Sequence, residues 1–221
     1  MRFLYRNIFI FAVFSILVLI LSCKKDENNS ISINGKIYDG NQNIPVVDAE
    51  VTFWVSRLEN GTYNPNLIAL FTVNTDAAGN YSFNLTKEKD ASYRITIDKT
   101  KYFGQIIDID VDDLPPGTHN LNYTILPEAY IKLHVKNVNY FDNNDKIGYS
   151  ITSTQPTGTN CCNNLPTTGT GYNYENTSIC KTYGAQKIKV SWSVKKNSIN
   201  SLYDSLIYCV PFDTTTFDLI Y

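Results

Sequence analysis

The chain has 221 residues, with 19 lysine and arginine residues against 21 aspartate and glutamate residues, so its formal net charge is −2. This length allows one large or two small domains. No basic patch is evident, and nucleic acid is therefore not an expected partner. Charged residues make up only 18% of the chain, so much of the surface must consist of Asn, Thr, Ser and Tyr. Surfaces of this composition are common in proteins that lie outside the cell.

The amino-terminal segment has the pattern of a signal peptide. Arg2 and Arg6 precede an apolar run of 14 residues, 8–21, in which only Ser15 is polar. At ~1.5 Å per residue a helix of this length covers about 21 Å, which is shorter than the ~30 Å hydrocarbon core of a bilayer. The pattern predicts a cleaved signal peptide over residues 1–22. The alternative is an uncut transmembrane anchor.

Cys23 decides between these alternatives. The stretch Ile20-Leu21-Ser22-Cys23 resembles a bacterial lipobox, which implies that Cys23 becomes the lipid-carrying first residue and that residues 23–30 form a tether. The following residues 24–27, Lys-Lys-Asp-Glu, resemble the surface-export signal of Bacteroidota lipoproteins. These resemblances imply a protein anchored in the outer membrane and displayed on the cell surface, with the periplasmic face as the alternative.

The rest of the chain favours all-β structure. It is rich in Thr, Asn, Tyr, Ile and Val and has no long apolar helix pattern. Seven short apolar segments separated by turn signals predict a seven-strand β-sandwich over residues 31–127. They are residues 31–37, 49–55, 67–73, 81–85, 93–97, 107–111 and 121–125. The third, an almost continuous apolar run, predicts a strand that is buried on both sides.

Four segments of this region also resemble a known family. Residues 35–39 (GKIYD), 44–51 (IPVVDAEV), 75–83 (TDAAGNYSF) and 93–97 (YRITI) resemble the carboxypeptidase regulatory-like domain. The resemblance implies a transthyretin-like sandwich of seven strands. It implies no catalysis, because the domain of that family is not itself a peptidase.

A second, smaller β-sandwich is predicted over residues 128–221, with Pro127-Glu128 as the boundary. Alternating segments at 131–135 and 188–194 predict two of its strands, and 202–210 and 216–221 supply others. Residues 153–184 are rich in Gly, Thr and Asn and predict a long loop without regular structure.

The cysteines that remain after lipidation predict two disulfides, because the expected compartment is oxidising. Adjacent Cys161 and Cys162 should take different partners, which leaves two connectivities with Cys180 and Cys209. Either Cys161 bonds Cys180 or it bonds Cys209, and in each case the other two bond each other. Zinc is the alternative, although the chain lacks a C-x-x-C pair. No metal and no cofactor are expected.

The candidate site residues point to binding and not to catalysis. The chain has only two histidines, His119 and His134, and no spacing that suggests a catalytic triad. Aromatic side chains are the candidates for ligand binding, with core packing as the alternative for each: Trp54, Tyr172, Tyr174 and Tyr183. The sequence therefore predicts a lipid-anchored binding or accessory protein, not an enzyme, that recognises a glycan, a peptide or an outer-membrane protein through its loops. The alternative is a purely structural subunit of an outer-membrane complex, and a third, less favoured hypothesis is a hydrolase.

Overall fold

The structure of the protein, a computed structural model, describes residues 29–59 and 61–221. The predicted signal peptide, Cys23 and the tether as far as residue 28 lie outside the described residues. The described part of the chain is all-β, with sixteen strands and no helix. Accordingly, nothing in this part is a helix long and apolar enough to span a bilayer.

The first nine strands belong to the N-terminal sandwich. They are β1 (Ser30–Asp39), β2 (Glu50–Glu59), β3 (Thr62–Tyr63), β4 (Ile68–Asn74), β5 (Asn80–Thr86), β6 (Asp90–Asp98), β7 (Tyr102–Phe103), β8 (Gln105–Ile109) and β9 (Gly117–Asn120). β10 (Tyr123–Lys136) passes from this sandwich into the next one. The C-terminal sandwich is completed by β11 (Lys146–Ile151), β12 (Thr167–Thr170), β13 (Glu175–Tyr183), β14 (Gln186–Lys196), β15 (Ile199–Cys209) and β16 (Thr214–Ile220).

The N-terminal sandwich packs two sheets around a core of isoleucine, valine and aromatic side chains. In one sheet β1 pairs with β5, β9 and the start of β10, and in the other β2 pairs with β3, β4 and β6, which in turn pairs with β8. Alternate residues of each strand face inward, so Ile31, Ile33 and Phe53 are buried. Phe53 lies 5.2 Å from Tyr93 between ring centroids and fixes the middle of this core.

The C-terminal sandwich has a separate core. The sheet β13-β10-β16 faces the sheet β12-β11-β14-β15. β14 shows the alternation that its sequence predicts, since Ile188 and Val190 are buried while Lys187 and Lys189 are exposed.

The predicted boundary at Pro127-Glu128 lies inside a continuous strand and not in a loop. β10 pairs in parallel with β1 through residues 123–125, then with β13 through residues 128–136. Backbone hydrogen bonds also tie the midpoint of β10 to both sandwiches, since the Glu128 amide donates to the Lys101 carbonyl at 2.8 Å and the Phe212 amide donates to the Glu128 carbonyl at 2.7 Å. The connection between the sandwiches is therefore hydrogen-bonded secondary structure.

Four aromatic rings surround this joint. Phe103 meets Tyr183 edge-on with ring centroids 4.9 Å apart, and Tyr102 meets Phe212 at 5.2 Å. The first ring of each pair belongs to the N-terminal sandwich and the second to the C-terminal one. Each pair adds roughly 1 kcal/mol beyond the area that it buries. The aromatic pairs therefore restrict rotation of one sandwich against the other.

Because β1 and β10 run in the same direction, Ser30 and the loops after Lys136 lie far apart. β1 runs toward the joint and β10 continues in the same direction, because the two strands are parallel at Asp39 and Ile125. At about 3.3 Å per residue, β1 and the rest of β10 cover at most about 65 Å. The described part of the chain therefore has Ser30 at one end and the loops beyond Lys136 at the other.

Two sequence predictions about strands are wrong. β4 is not buried on both sides, because it pairs only with β2 at the edge of its sheet and leaves Ile68 exposed. Residues 153–184 are not a single irregular loop, since they contain β12 and the nine-residue β13. β13 is mostly polar and lies at a sheet edge, where alternation is weak because only a few of its side chains face the core.

Of the two predicted disulfides, the described residues contain one. Cys162 bonds Cys180, as in one of the two predicted connectivities, whereas Cys161 and Cys209, which that connectivity also pairs, are free. The prediction of a second disulfide is therefore wrong. The adjacent cysteines do take different environments, as extended neighbours must. Cys162 is the buried one, and it meets Cys180 of β13 and not Cys209, which is buried on β15.

Candidate functional site

Loops from four parts of the chain meet at the end of the C-terminal sandwich that is farthest from the N-terminal one. These parts are residues 137–145 after β10, residues 171–174 between β12 and β13, the β14–β15 turn at 197–198, and the final residue Tyr221. They come together because β16 is parallel to β10 and ends opposite Lys136, where the antiparallel β13 begins.

Apolar and aromatic side chains cover this end, and we call them the aromatic tip. Tyr140, Phe141 and Tyr172 are 64%, 57% and 44% exposed, and Val138 is exposed beside them in sequence. The rings of Tyr140 and Tyr172 lie 5.9 Å apart between centroids, so the two loops contact each other. Exposed aromatic groups of this kind are typical of binding surfaces.

A buried carboxylate holds the loops of the aromatic tip in place. The Asp145 side chain is fully buried, and its Oδ2 accepts hydrogen bonds from the Phe141 amide at 2.8 Å and from Nδ2 of Asn137 at 3.0 Å. The Asp145 carbonyl accepts from the Gly171 amide at 2.9 Å. One residue therefore connects the loop that carries Phe141 with the turn that carries Tyr172.

A lysine completes this network. Nζ of Lys196 donates to Oδ1 of Asn137 at 3.0 Å and lies 5.0 Å from the centre of the Tyr221 ring. Burial alone would raise the pKa of Asp145, but hydrogen bonds from the Phe141 amide and the Asn137 side chain outweigh burial and lower it. Asp145 thus remains ionised, and the aromatic tip is presented on a fixed backbone.

A second group of charges lies on the outer face of β10 close to the aromatic tip. His134 places Nδ1 2.9 Å from Asp218 and Nε2 2.9 Å from Glu175, which also pairs with Lys136 at 3.0 Å. Both ring nitrogens can donate only in the imidazolium form. Hydrogen bonding to Glu175 and then to Asp218 accordingly raises the pKa of His134.

The chemistry available at the aromatic tip is apolar contact and hydrogen bonding by phenol groups. Tyr140 and Tyr172 each supply one hydroxyl, while Val138 and Phe141 supply none. Within residues 29–59 and 61–221 no group of three or more His, Cys, Asp or Glu side chains is arranged to hold a metal ion.

The four aromatic residues that the sequence singles out lie in four different places. Tyr172 belongs to the aromatic tip. Trp54 lies on an outer sheet face of the N-terminal sandwich, where its indole N–H donates to Thr96 at 2.9 Å. Tyr174 packs over Gly169 beside the C-terminal core, and Tyr183 packs at the joint.

Sequence reasoning missed Tyr140 and Phe141. The available signal was a pair of consecutive aromatic residues placed directly before the polar turn 142–145. Successive side chains of an extended segment point in opposite directions, so at least one ring of such a pair must face away from the core.

Comparisons with known proteins give matches of low similarity, all of them to solved structures. No family model and no curated protein matches the chain. Among solved structures, 3-chlorocatechol 1,2-dioxygenase from Rhodococcus opacus 1CP matches with a TM-score of 0.33 and 12% identity over 47% of this chain and 62% of its own. The Bacillus anthracis TIE protein matches with a TM-score of 0.37 and 10% identity over 87% of this chain and 34% of its own.

A streptococcal ancillary pilin is similar at a TM-score of 0.32 and 10% identity, over 89% of this chain and 63% of its own. The chain thus covers less than two thirds of the length of each of these three proteins. Similarities this low carry no inference about activity or partners.

Proposed function

We propose that the protein is a lipid-anchored binding protein of the cell envelope that engages a protein partner through the aromatic tip. The observation that carries this proposal is the position of the aromatic tip at the end opposite to Ser30, which follows the predicted tether. A partner that approaches from outside the membrane would meet the aromatic tip first.

The composition of the aromatic tip favours a protein partner. Tyrosine and phenylalanine are enriched at protein interfaces, where a few such side chains supply most of the binding energy. Because Asp145 already fixes the loop backbone, binding would cost little additional ordering entropy.

Site-specific photocrosslinking in intact cells tests this proposal. A photoreactive phenylalanine at position 140 should form an adduct with one protein, whereas the same group at Tyr63, which is similarly exposed on the N-terminal sandwich, should not. The adduct should disappear when Tyr172 is changed to Ser. Absence of an adduct at position 140, or identical adducts at both positions, would contradict the proposal. An adduct within a complex that survives detergent extraction at fixed stoichiometry would favour a structural subunit.

The anchor is tested separately. Mass spectrometry of the mature protein should find an amino-terminal Cys23 that carries lipid, and Cys23→Ala should leave the precursor unprocessed. External protease should remove the protein from intact cells if it is displayed on the surface. An unmodified Cys23 or an intact Met1 would contradict the anchor.

A further inference from the structure

An open cleft of about 660 Å³ lies in the N-terminal sandwich, away from the aromatic tip. It is bordered by the outer faces of β1, β5 and β9, by the turn before β5, and by the short connection between β9 and β10. Most of its lining side chains are amides or other polar groups: Asn34, Lys36, Asn74, Asp76, Asn80, Ser82, Asn120 and Asn122.

Three of these asparagines are fixed by one hydrogen bond each. Nδ2 of Asn74 donates to Asp48 at 2.6 Å, and Nδ2 of Asn80 donates to Asp76 at 2.9 Å. Oδ1 of Asn122 accepts from a backbone amide of β1 at 2.8 Å. An amide side chain has both a carbonyl and an NH₂ group, so each of the three keeps its other half for a ligand. The cleft therefore offers two carbonyl acceptors and one amide donor in fixed positions.

The remaining groups form a row across three strands. Asn34 on β1 lies in register with Ser82 on β5 and with Asn120 on β9, at the strand spacing of about 4.8 Å. Neither the Asn34 nor the Asn120 side-chain amide makes a hydrogen bond with any other described residue. The row thus presents two complete amides and a hydroxyl side by side.

The charges of the cleft balance each other. Lys36 is its cation and Asp76 its anion. Oδ1 of Asp76 already accepts from the backbone amides of Ala78 and Asn80, both at 2.8 Å, and the Asn80 side chain uses the other oxygen. The carboxylate is therefore occupied by the turn that it stabilises, and the two opposite charges leave the cleft without a net charge that would favour a charged ligand.

We propose that this cleft binds a neutral oligosaccharide, which is a function separate from partner binding at the aromatic tip. A sugar hydroxyl donates and accepts hydrogen bonds at the same time, as an asparagine amide does, and a row of amides therefore matches a row of hydroxyls. Because three of the amides are held in place before binding, the site loses little side-chain entropy on binding. The protein thereby carries two sites, one for glycan on the N-terminal sandwich and one for protein at the aromatic tip.

Calorimetric titration of the full mature chain tests this proposal, with neutral hexasaccharides of glucose, mannose and xylose as probes and an oligogalacturonate as the charged comparison. At least one neutral probe should bind, and the charged one should bind more weakly. Asn34→Ala and Asn120→Ala should each weaken binding about tenfold, since each removes hydrogen bonds that no other group replaces. Asn84→Ala is the matched control, because Asn84 is an exposed asparagine on β5 outside the cleft, and it should leave the affinity unchanged.

Two results would overturn the proposal. The first is failure of all three neutral probes to bind a chain whose thermal unfolding is cooperative, which would identify the cleft as a solvated sheet face. The second is binding that Asn34→Ala and Asn120→Ala leave intact while both variants melt as the wild type does. Neither result affects the photocrosslinking test of the aromatic tip.

Discussion

Asn137 donates a hydrogen bond of 3.0 Å to Asp145, and both side chains are buried beneath the aromatic tip. A buried polar pair at the end of a sandwich connects the loops of the aromatic tip to the core. The pair holds the backbone of these loops in place, although their outer side chains are largely exposed.

Removal of this carboxylate should loosen the aromatic tip and destabilise the fold. Asp145→Ala removes the acceptor of the Phe141 amide and one of the two acceptors of the Asn137 side chain, and we expect the free energy of unfolding to fall by roughly 2 kcal/mol. Asp204→Ala, which removes an exposed ion pair with Lys189, should change it by less than about 0.5 kcal/mol. Urea denaturation measures both values. Equal effects of the two substitutions would contradict the role of Asp145.

The His134 cluster should make stability depend on pH. Because its partners raise the pKa of His134 above the ordinary 6.5, the folded state holds the proton more tightly than the unfolded state. The resulting stabilisation is complete below pH 6.5 and is lost as the pH rises through the folded-state pKa. His134→Gln should remove this slope from the melting temperature measured against pH, and Glu175→Gln should reduce it. A slope that persists in His134→Gln would show that another group is responsible.

The free cysteines should differ in reactivity. Iodoacetamide should label Cys161 in the folded protein, whereas Cys209 should react only after unfolding, because burial raises the pKa of its thiol to about 11 and excludes the reagent. Unfolding without a reductant should expose two thiols, and a reductant should release two more from the Cys162–Cys180 bond. Four thiols without a reductant would contradict this pairing.

A methyl group at Gly184 should strain the joint. A Cβ atom there would lie 2.7 Å from Cα of Pro211 and 3.2 Å from the Glu128 carbonyl, and the Gly184 carbonyl also accepts a hydrogen bond from Asn41 at 2.7 Å. Gly184→Ala should therefore lower the free energy of unfolding by roughly 1–3 kcal/mol.

Gly148→Ala is the control for this substitution, since its Cβ would make ordinary contacts with the Ser193 and Thr168 side chains. Thermal melting compares the two variants. A Gly184→Ala protein that melts with the wild type would show that the joint relaxes without cost.

The sequence predicts strands well where one face meets a core. β1, β5, β6 and β14 were all predicted, because alternate burial repeats every two residues and can be read without knowledge of neighbouring strands. The sequence predicts β4 as a strand but with the wrong burial, and it does not predict β13, because each lies at a sheet edge, where pairing and not periodicity determines burial. The sequence does not predict that β10 is continuous, because Pro127 resembles a domain boundary. Proline cannot donate a backbone hydrogen bond, and it is tolerated here because β10 pairs only with the two-residue β7 at that point.

The candidate site was predicted only in part for a similar reason. Tyr172 was identified as an aromatic residue in a polar segment, but its contact with Tyr140 depends on two loops that are 32 positions apart in sequence. The residue that joins those loops, Asp145, resembles any aspartate in a turn until its burial is known. Long-range contacts of this kind leave no local pattern.

The parallel arrangement of β1 and β10 also determines how the protein responds to mechanical force. A pull between the N-terminal end and the aromatic tip acts along both strands. The hydrogen bonds that join β1 to β5 over residues 30–36 lie across that direction and are loaded together in shear. Unzipping such a sheet requires a pull at right angles to the strands. A pull between the proposed anchor and a partner at the aromatic tip would therefore act in the direction in which this chain resists extension most strongly.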